Sequence, residues 1–126
     1  MGIESKTVWM DGKLVPYENA TVHFLTSGLH YGIAVFEGIR CYAAERGPAV
    51  FRLNEHMNRL VESAHILGFR SLPYSAGELV QATVELVRAN GFSSCYIRQL
   101  IYLYSARMNL RLDSGEARIG IDCWEM

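Results

Sequence analysis

Arg40 and Arg59 stand among residues that otherwise look like core, in the stretch HYGIAVFEGIRCYAAERGPAVFRLNEHMNRL that runs from His30 to Leu60. A cation taken out of water without a partner is costly, so a carboxylate or a ligand is expected beside each of them. Guanidinium groups suit carboxylates and phosphates because their donors form a fixed planar fork. Aromatic rings and glycines alternate around these arginines at strand spacing, and together the residues can wall an apolar substrate while binding its carboxylate. The stretch reads as half of an active site. The complementary half is not obvious, because the chain's lysines are Lys6 and Lys13, both in an expected N-terminal surface hairpin.

The elements that must position these groups can be read from local chemistry. Asp11-Gly12 between apolar runs favours a two-residue type I′ turn, giving a hairpin over Thr7 to Tyr17. A connection containing Gly28 and Gly32 leads to an extended run near Val35 to Ala43, which turns through Glu45 to Pro48 into Ala49 to Leu53. Asn54 is expected to cap a helix carrying Met57, Leu60, Val61, Ala64 and Leu67, with Gly68 near its end. Ser75 to Glu78 is a capping-box pattern ahead of Leu79, Ala82, Val84, Leu86 and Val87, and Asn90-Gly91 has the form of a left-handed stop. Strands are expected over Cys95 to Tyr104 and Ala117 to Trp124. The fold class is therefore α+β, a two-layer sandwich in which a mainly antiparallel sheet of about six strands is covered on one face by two helices.

Alternate residues of a strand face opposite sides of its sheet. Val35, Ile39 and Cys41 share one side with Glu37, and Phe36, Gly38, Arg40 and Tyr42 take the other. Near Cys95 the split repeats: Cys95, Ile97, Ile101 and Leu103 oppose Tyr96, Arg98, Tyr102 and Tyr104. The aliphatic side is assigned to the helices. The other side carries the rings and guanidiniums, as a ligand wall or as an exposed face of cross-strand pairs. Glu37 and Gln99 fit neither side cleanly.

Composition sets the bounds. The 126 residues, 50% hydrophobic with a net charge of -1, make one globular domain with no basic run for a nucleic-acid backbone. No apolar segment approaches the roughly 20 residues of a membrane-spanning helix, and the start lacks a signal-peptide pattern. Cys41, Cys95 and Cys123 form no close pair in sequence, so reduced thiols in a cytoplasmic protein are expected. No metal is expected either, because no Cys or His pair has ligand spacing.

The segments HYGIAVFEGIRCY and FRLNEHMNRL, with the opening WMDGKLVPYENATVHFLT and the later GFSSCYIRQLIYL, resemble the N-terminal domain of branched-chain amino acid aminotransferases, pyridoxal-phosphate enzymes of fold type IV. The resemblance spans the chain as a single domain, residues 1–126. It implies that Arg59 grips the phosphate of pyridoxal 5'-phosphate. It also implies that Phe36, Gly38, Tyr96 and Arg98 line the substrate pocket, Phe36 and Tyr96 against branched aliphatic side chains and Arg98 toward an acidic side chain or the carboxylate. Tyr31 matches a tyrosine that reaches into the neighbouring subunit's site, and Leu110 one that packs against the partner's substrate. Arg40 is read as orienting Tyr31 or the carboxylate region, and Arg52 as a strand-end surface residue. After Ile97-Arg98-Gln99 the run YSARMNLRLDSGEA departs from the family pattern.

The resemblance further implies amino transfer between leucine, isoleucine or valine and 2-oxoglutarate, a homodimer, and a C-terminal domain that supplies the lysine holding the cofactor. That domain lies beyond residue 126, so no catalytic residue is assigned here and the chain alone is expected to be inactive. The ending hard against a strand leans toward an excised domain. Two alternatives stand beside it: a natural truncated homologue acting as a dimerisation or regulatory module, and a simple carboxylate- or phosphate-binding module.

Overall fold

A computed structural model of the chain describes residues 4–105 and 115–126. Six strands form one sheet in the order β2-β1-β6-β5-β3-β4. They are β1 (Thr7–Met10), β2 (Lys13–Pro16), β3 (Ala34–Ala44), β4 (Gly47–Val50), β5 (Cys95–Tyr104) and β6 (Glu116–Glu125). Every pairing is antiparallel. The helices are α1 (Ser27–Tyr31), α2 (Leu53–Leu67) and α3 (Ala76–Asn90). The expected α+β sandwich is present.

Local chemistry accounts for most of the boundaries. Asp11 and Gly12 take φ of 48° and 103°, closing the first hairpin at the Met10–Lys13 pair. Ser75 Oγ accepts from the Glu78 N–H at 3.1 Å while Glu78 Oε1 accepts from the Ser75 N–H at 3.0 Å, so the capping box that opens α3 is complete. Gly91, with φ of 75°, ends that helix.

Some expectations change. Asn54 lies inside the first turn of α2, and the cap position is Arg52, in the left-handed region with no side-chain cap bond. Leu53 belongs to the helix rather than to the preceding strand. The connection before β3 contains α1, a short helix between Thr26 at its N-cap and Gly32, in the left-handed region, at its C-cap, with no long apolar period to announce it. Leu67, assigned to the apolar stripe, is exposed in the last turn of α2.

The core lies between one face of the sheet and the α2–α3 pair. Ile39, Ile97, Ile101, Leu103, Ile119 and Ile121 from the sheet pack with Met57, Leu60, Leu79 and Leu86 from the helices, all fully buried. Each such side chain contributes about 1.5–3 kcal/mol of transfer free energy, which makes the helix-covered face the one that holds the domain together. The opposite face is free to carry chemistry. Among the described residues, no helix is long and apolar enough to cross a membrane.

Candidate functional site

β3 and β5 run antiparallel with Gly38 opposite Arg98 and Arg40 opposite Tyr96, so the residues singled out from parity meet on the open face. The Arg98 guanidinium lies 4.2 Å from the centre of the Phe36 ring and donates from Nη2 to the Tyr96 hydroxyl at 3.0 Å. Tyr96 is backed by Trp124, ring centres 5.0 Å apart, and its hydroxyl reaches across Gly38. A Cβ on Gly38 would collide with that hydroxyl. Phe36 and Arg40 project from the same face of β3 and are exposed. Arg98, Tyr96, Gly38 and Phe36 thus form one continuous wall.

Tyr31 ends α1, half-exposed, with its ring 6.4 Å from that of His30. Leu110 lies outside the described residues. The open face is also less uniform than parity implies. Tyr102 is buried, with Gly28 of α1 packed against its Cβ. A cavity of about 540 Å³ separates Leu100, Gly120 and Asp122 from the crossing segment at residues 17–22. Burial raises the Asp122 carboxyl above the usual carboxylate range, against the opposing effect of hydrogen bonds from Ser5 and from the Cys123 N–H.

Glu37, which fitted neither face, is resolved by the other half of the site. It points to the helix face and is only 5% exposed. Its Oε2 accepts from Arg59 Nε at 2.9 Å, and its Oε1 accepts from Arg59 Nη2 at 2.7 Å and from His56 Nδ1 at 2.7 Å. Burial alone would push the Glu37 carboxyl up, but the hydrogen bonds and charges of Arg59 and His56 outweigh it, and the carboxyl lies below its ordinary value of 4.5. Its fork in turn raises the already high pKa of Arg59. The partner expected beside a buried charge is therefore present with the roles exchanged: Glu37 is the buried ion, and Arg59, with 67% of its side chain exposed, is the cation that covers it.

Sequence reasoning passed over Glu37 and His56. A lone carboxylate on an otherwise aliphatic strand face was the available signal, because such a group demands a cation from the element that covers it. His56 and Arg59, three apart on α2, share the helix face that supplies it. Gln99, opposite Glu37 on β5, is fully buried and donates to Thr83 Oγ1 at 3.1 Å.

The guanidinium clamp and the aromatic wall stand on opposite faces of the sheet, and the edge of β3 joins them. In the described ladder β4 pairs only with Cys41 to Ala44, so the side of β3 away from β5 is open from Val35 to Ile39. Phe36 and Gly38 meet that edge from the front and Glu37 with Arg59 from behind. A cavity of about 300 Å³ lined by Phe51, Arg52, Glu55, His56 and Arg59 adjoins it. Arg52 is the exposed surface residue expected, and although it lines this cavity its Nε is engaged by Glu55 at 2.8 Å.

Lys6 and Lys13 are exposed and belong to the β1–β2 hairpin, at the far edge of the sheet from this cavity. The three cysteines are buried and unpaired. Burial pushes the Cys41 thiol up to about 11, and a bond to Cys123 together with burial raises Cys95 as well, which makes Cys41 and Cys95 inert as nucleophiles. Among the described residues no group of three or more His, Cys, Asp or Glu could hold a metal ion.

The model of the amino-transferase class IV family matches residues 34–118, which include both the wall and the clamp. Over 117 residues the chain is 44% identical to a branched-chain-amino-acid aminotransferase of Pseudomonas aeruginosa, covering 93% of this chain and 38% of that protein. The crystal structure of the Escherichia coli branched-chain amino acid aminotransferase superposes with a TM-score of 0.92 at 38% identity, over 98% of this chain and 41% of that one. The T.th. branched-chain amino acid aminotransferase complexed with N-(5'-phosphopyridoxyl)-L-glutamate superposes with a TM-score of 0.89 at 40% identity, over 99% of this chain and 42% of that one. The chain thus spans well under half the length of these relatives. The matched span, the superposition and the shared sheet make this chain a member of the class IV aminotransferase family.

Proposed function

We propose that the chain is the N-terminal, substrate-side and cofactor-phosphate-binding part of a branched-chain amino acid aminotransferase, acting on leucine, isoleucine or valine and 2-oxoglutarate. One observation carries this reading. The Arg59 clamp and the Phe36–Arg98–Tyr96 wall converge on the same open edge of β3, so a phosphate held behind the edge and an amino acid held in front of it can belong to one reacting complex.

The residues fit pyridoxal 5'-phosphate. Arg59 turns its inner donors to Glu37 and keeps outer N–H groups beside a cavity large enough for a phosphate group. When bound, that cofactor supplies an electron sink for the bond broken at the substrate's α-carbon. The chain's own part is binding and orientation. Phe36 and Tyr96 give an apolar wall for a branched side chain, and the absent side chain of Gly38 leaves room for the Tyr96 hydroxyl. Arg98, held by Phe36 and Tyr96, presents a cation to a carboxylate. Tyr31 and Leu110 are assigned to the neighbouring subunit's site and Arg40 to orienting the carboxylate region, within a homodimer. The lysine that holds the cofactor is assigned to a C-terminal domain, and the protein to the cytoplasm, where reduced cysteines persist.

The reading is tested by sequencing the frame that follows codon 126 and assaying its product. A lysine-bearing second domain and amino transfer from leucine to 2-oxoglutarate are expected. A product with that domain and no activity toward leucine, isoleucine or valine overturns the substrate assignment.

A further inference from the structure

The Glu37 carboxylate receives three hydrogen bonds, two from Arg59 and one from His56, although a single partner would have sufficed to neutralise it. We propose that Glu37 is a positioning residue that fixes both side chains for a phosphate monoester, and that His56 Nε2 is a second phosphate-binding group beside Arg59. This rests on the reading of Arg59 as the phosphate clamp.

An ionised carboxylate only accepts, so His56 must carry a proton on Nδ1, and its tautomer is fixed. That leaves Nε2 on the far edge of the ring, and His56 lines the cavity of about 300 Å³ with Arg59. On Arg59, Nε and one Nη2 proton are committed to Glu37, so the outer Nη2 and Nη1 protons remain for an anion. Exposed arginine side chains ordinarily sample many rotamers, and each must be frozen when a ligand binds. The two-point bond to a buried carboxylate freezes Arg59 beforehand, which is how preorganisation raises affinity.

The charges around the imidazole suit a dianion. Glu37 faces it from β3, Glu55 and Arg59 stand near it on α2, and Arg52 stands at the cap of that helix. Glu55 would repel a phosphate, but Arg52 engages it at 2.8 Å. With a phosphate in place, His56 lies between two negative groups, Glu37 at Nδ1 and the phosphate at Nε2.

The test is side-chain nitrogen NMR of the 126-residue chain titrated with inorganic phosphate, with chloride as the control. Before phosphate, Nδ1 of His56 is expected to be protonated. Phosphate should then move the Arg59 and His56 signals with one dissociation constant. Glu37→Gln, checked for cooperative unfolding, should weaken phosphate at least tenfold even though it removes a negative charge. His56→Gln should weaken it at least severalfold while the Arg59 Nε proton stays protected. Movement at Arg59 without His56 overturns this inference and leaves the clamp reading intact, whereas movement at neither overturns both. If Glu37→Gln binds phosphate as tightly as the unaltered chain or more tightly, Glu37 is only a like-charged neighbour. If Glu37→Gln does not fold, His56→Gln decides, and unchanged affinity in it overturns the proposal.

Discussion

The Tyr96 hydroxyl occupies the space that a Cβ on Gly38 would fill, so the ring's position on the open face depends on the missing side chain of the neighbouring strand. Gly38→Ala should swing Tyr96 outward and break its 3.0 Å bond from Arg98. Because the ring lies on a face with solvent access, the stability cost should stay at the low end of overpacking, about 1 kcal/mol. Tyr96 ring resonances should shift strongly while the urea midpoint moves little. Unmoved Tyr96 signals would show that Gly38 does not set the shape of the wall.

Glu37 predicts an acid-dependent stability. Its carboxyl is lowered in the fold, so the contribution is fully present above the ordinary value of 4.5 and is lost as the pH falls through the lower folded value. Bonds to charged partners suggest that Glu37→Gln costs about 1–3 kcal/mol at neutral pH. The gap between the two proteins in urea unfolding should narrow below about pH 4.5 as the native carboxylate protonates. A gap that stays constant with pH would mean that the charge of Glu37 contributes nothing to stability.

Much of this was legible from the residues alone, and the misses share causes. Asp11-Gly12, the Ser75–Glu78 box and Asn90-Gly91 are short-range signals whose geometry is fixed by two to four residues, and all three appear as expected. Parity placed Phe36, Gly38, Arg40, Tyr96 and Arg98 on one face because a two-residue period admits no other arrangement once Ile39 and Ile97 are core. What failed depended on tertiary packing. Arg52, between β4 and α2, takes a left-handed conformation and stands at the cap in place of Asn54. Tyr102 was buried by α1, an element too short to carry a period. The Glu37–Arg59 pair crosses from strand to helix, 22 positions apart, and no local pattern encodes such a distance.

The exposed apolar residues should drive self-association. Phe24, Leu29, Tyr31, Phe36 and Tyr42 are all exposed, and apolar residues that gather into one contiguous surface mark an interaction face. Re-covering a few hundred square ångströms offers roughly ten kcal/mol of gross driving force at about 25 cal/mol per Å², of which rigid-body and ordering costs remove a large part. Light scattering over a concentration series should show a monomer–dimer equilibrium. A strict monomer at the highest concentrations would show that these residues do not form one patch.

The chain by itself should not transaminate. Lys6 and Lys13 sit at the opposite edge of the sheet from Arg59, so neither can hold the cofactor over the wall. Borohydride reduction after mixing with pyridoxal phosphate should leave only scattered, substoichiometric label. One specifically modified lysine accompanied by turnover would refute the assignment of catalysis to a further domain.

The central claim is that Arg59, and not its neighbour Arg52, binds the cofactor's phosphate. Pyridoxal 5'-phosphate and unphosphorylated pyridoxal, titrated against the chain and its Arg59→Ala and Arg52→Ala variants, test it most directly. The phosphate's advantage should vanish in Arg59→Ala and persist in Arg52→Ala, and Arg59→Lys should recover only part of it, since a point charge replaces a fork. Equal losses at the two arginines, or an advantage that survives Arg59→Ala, would contradict the account.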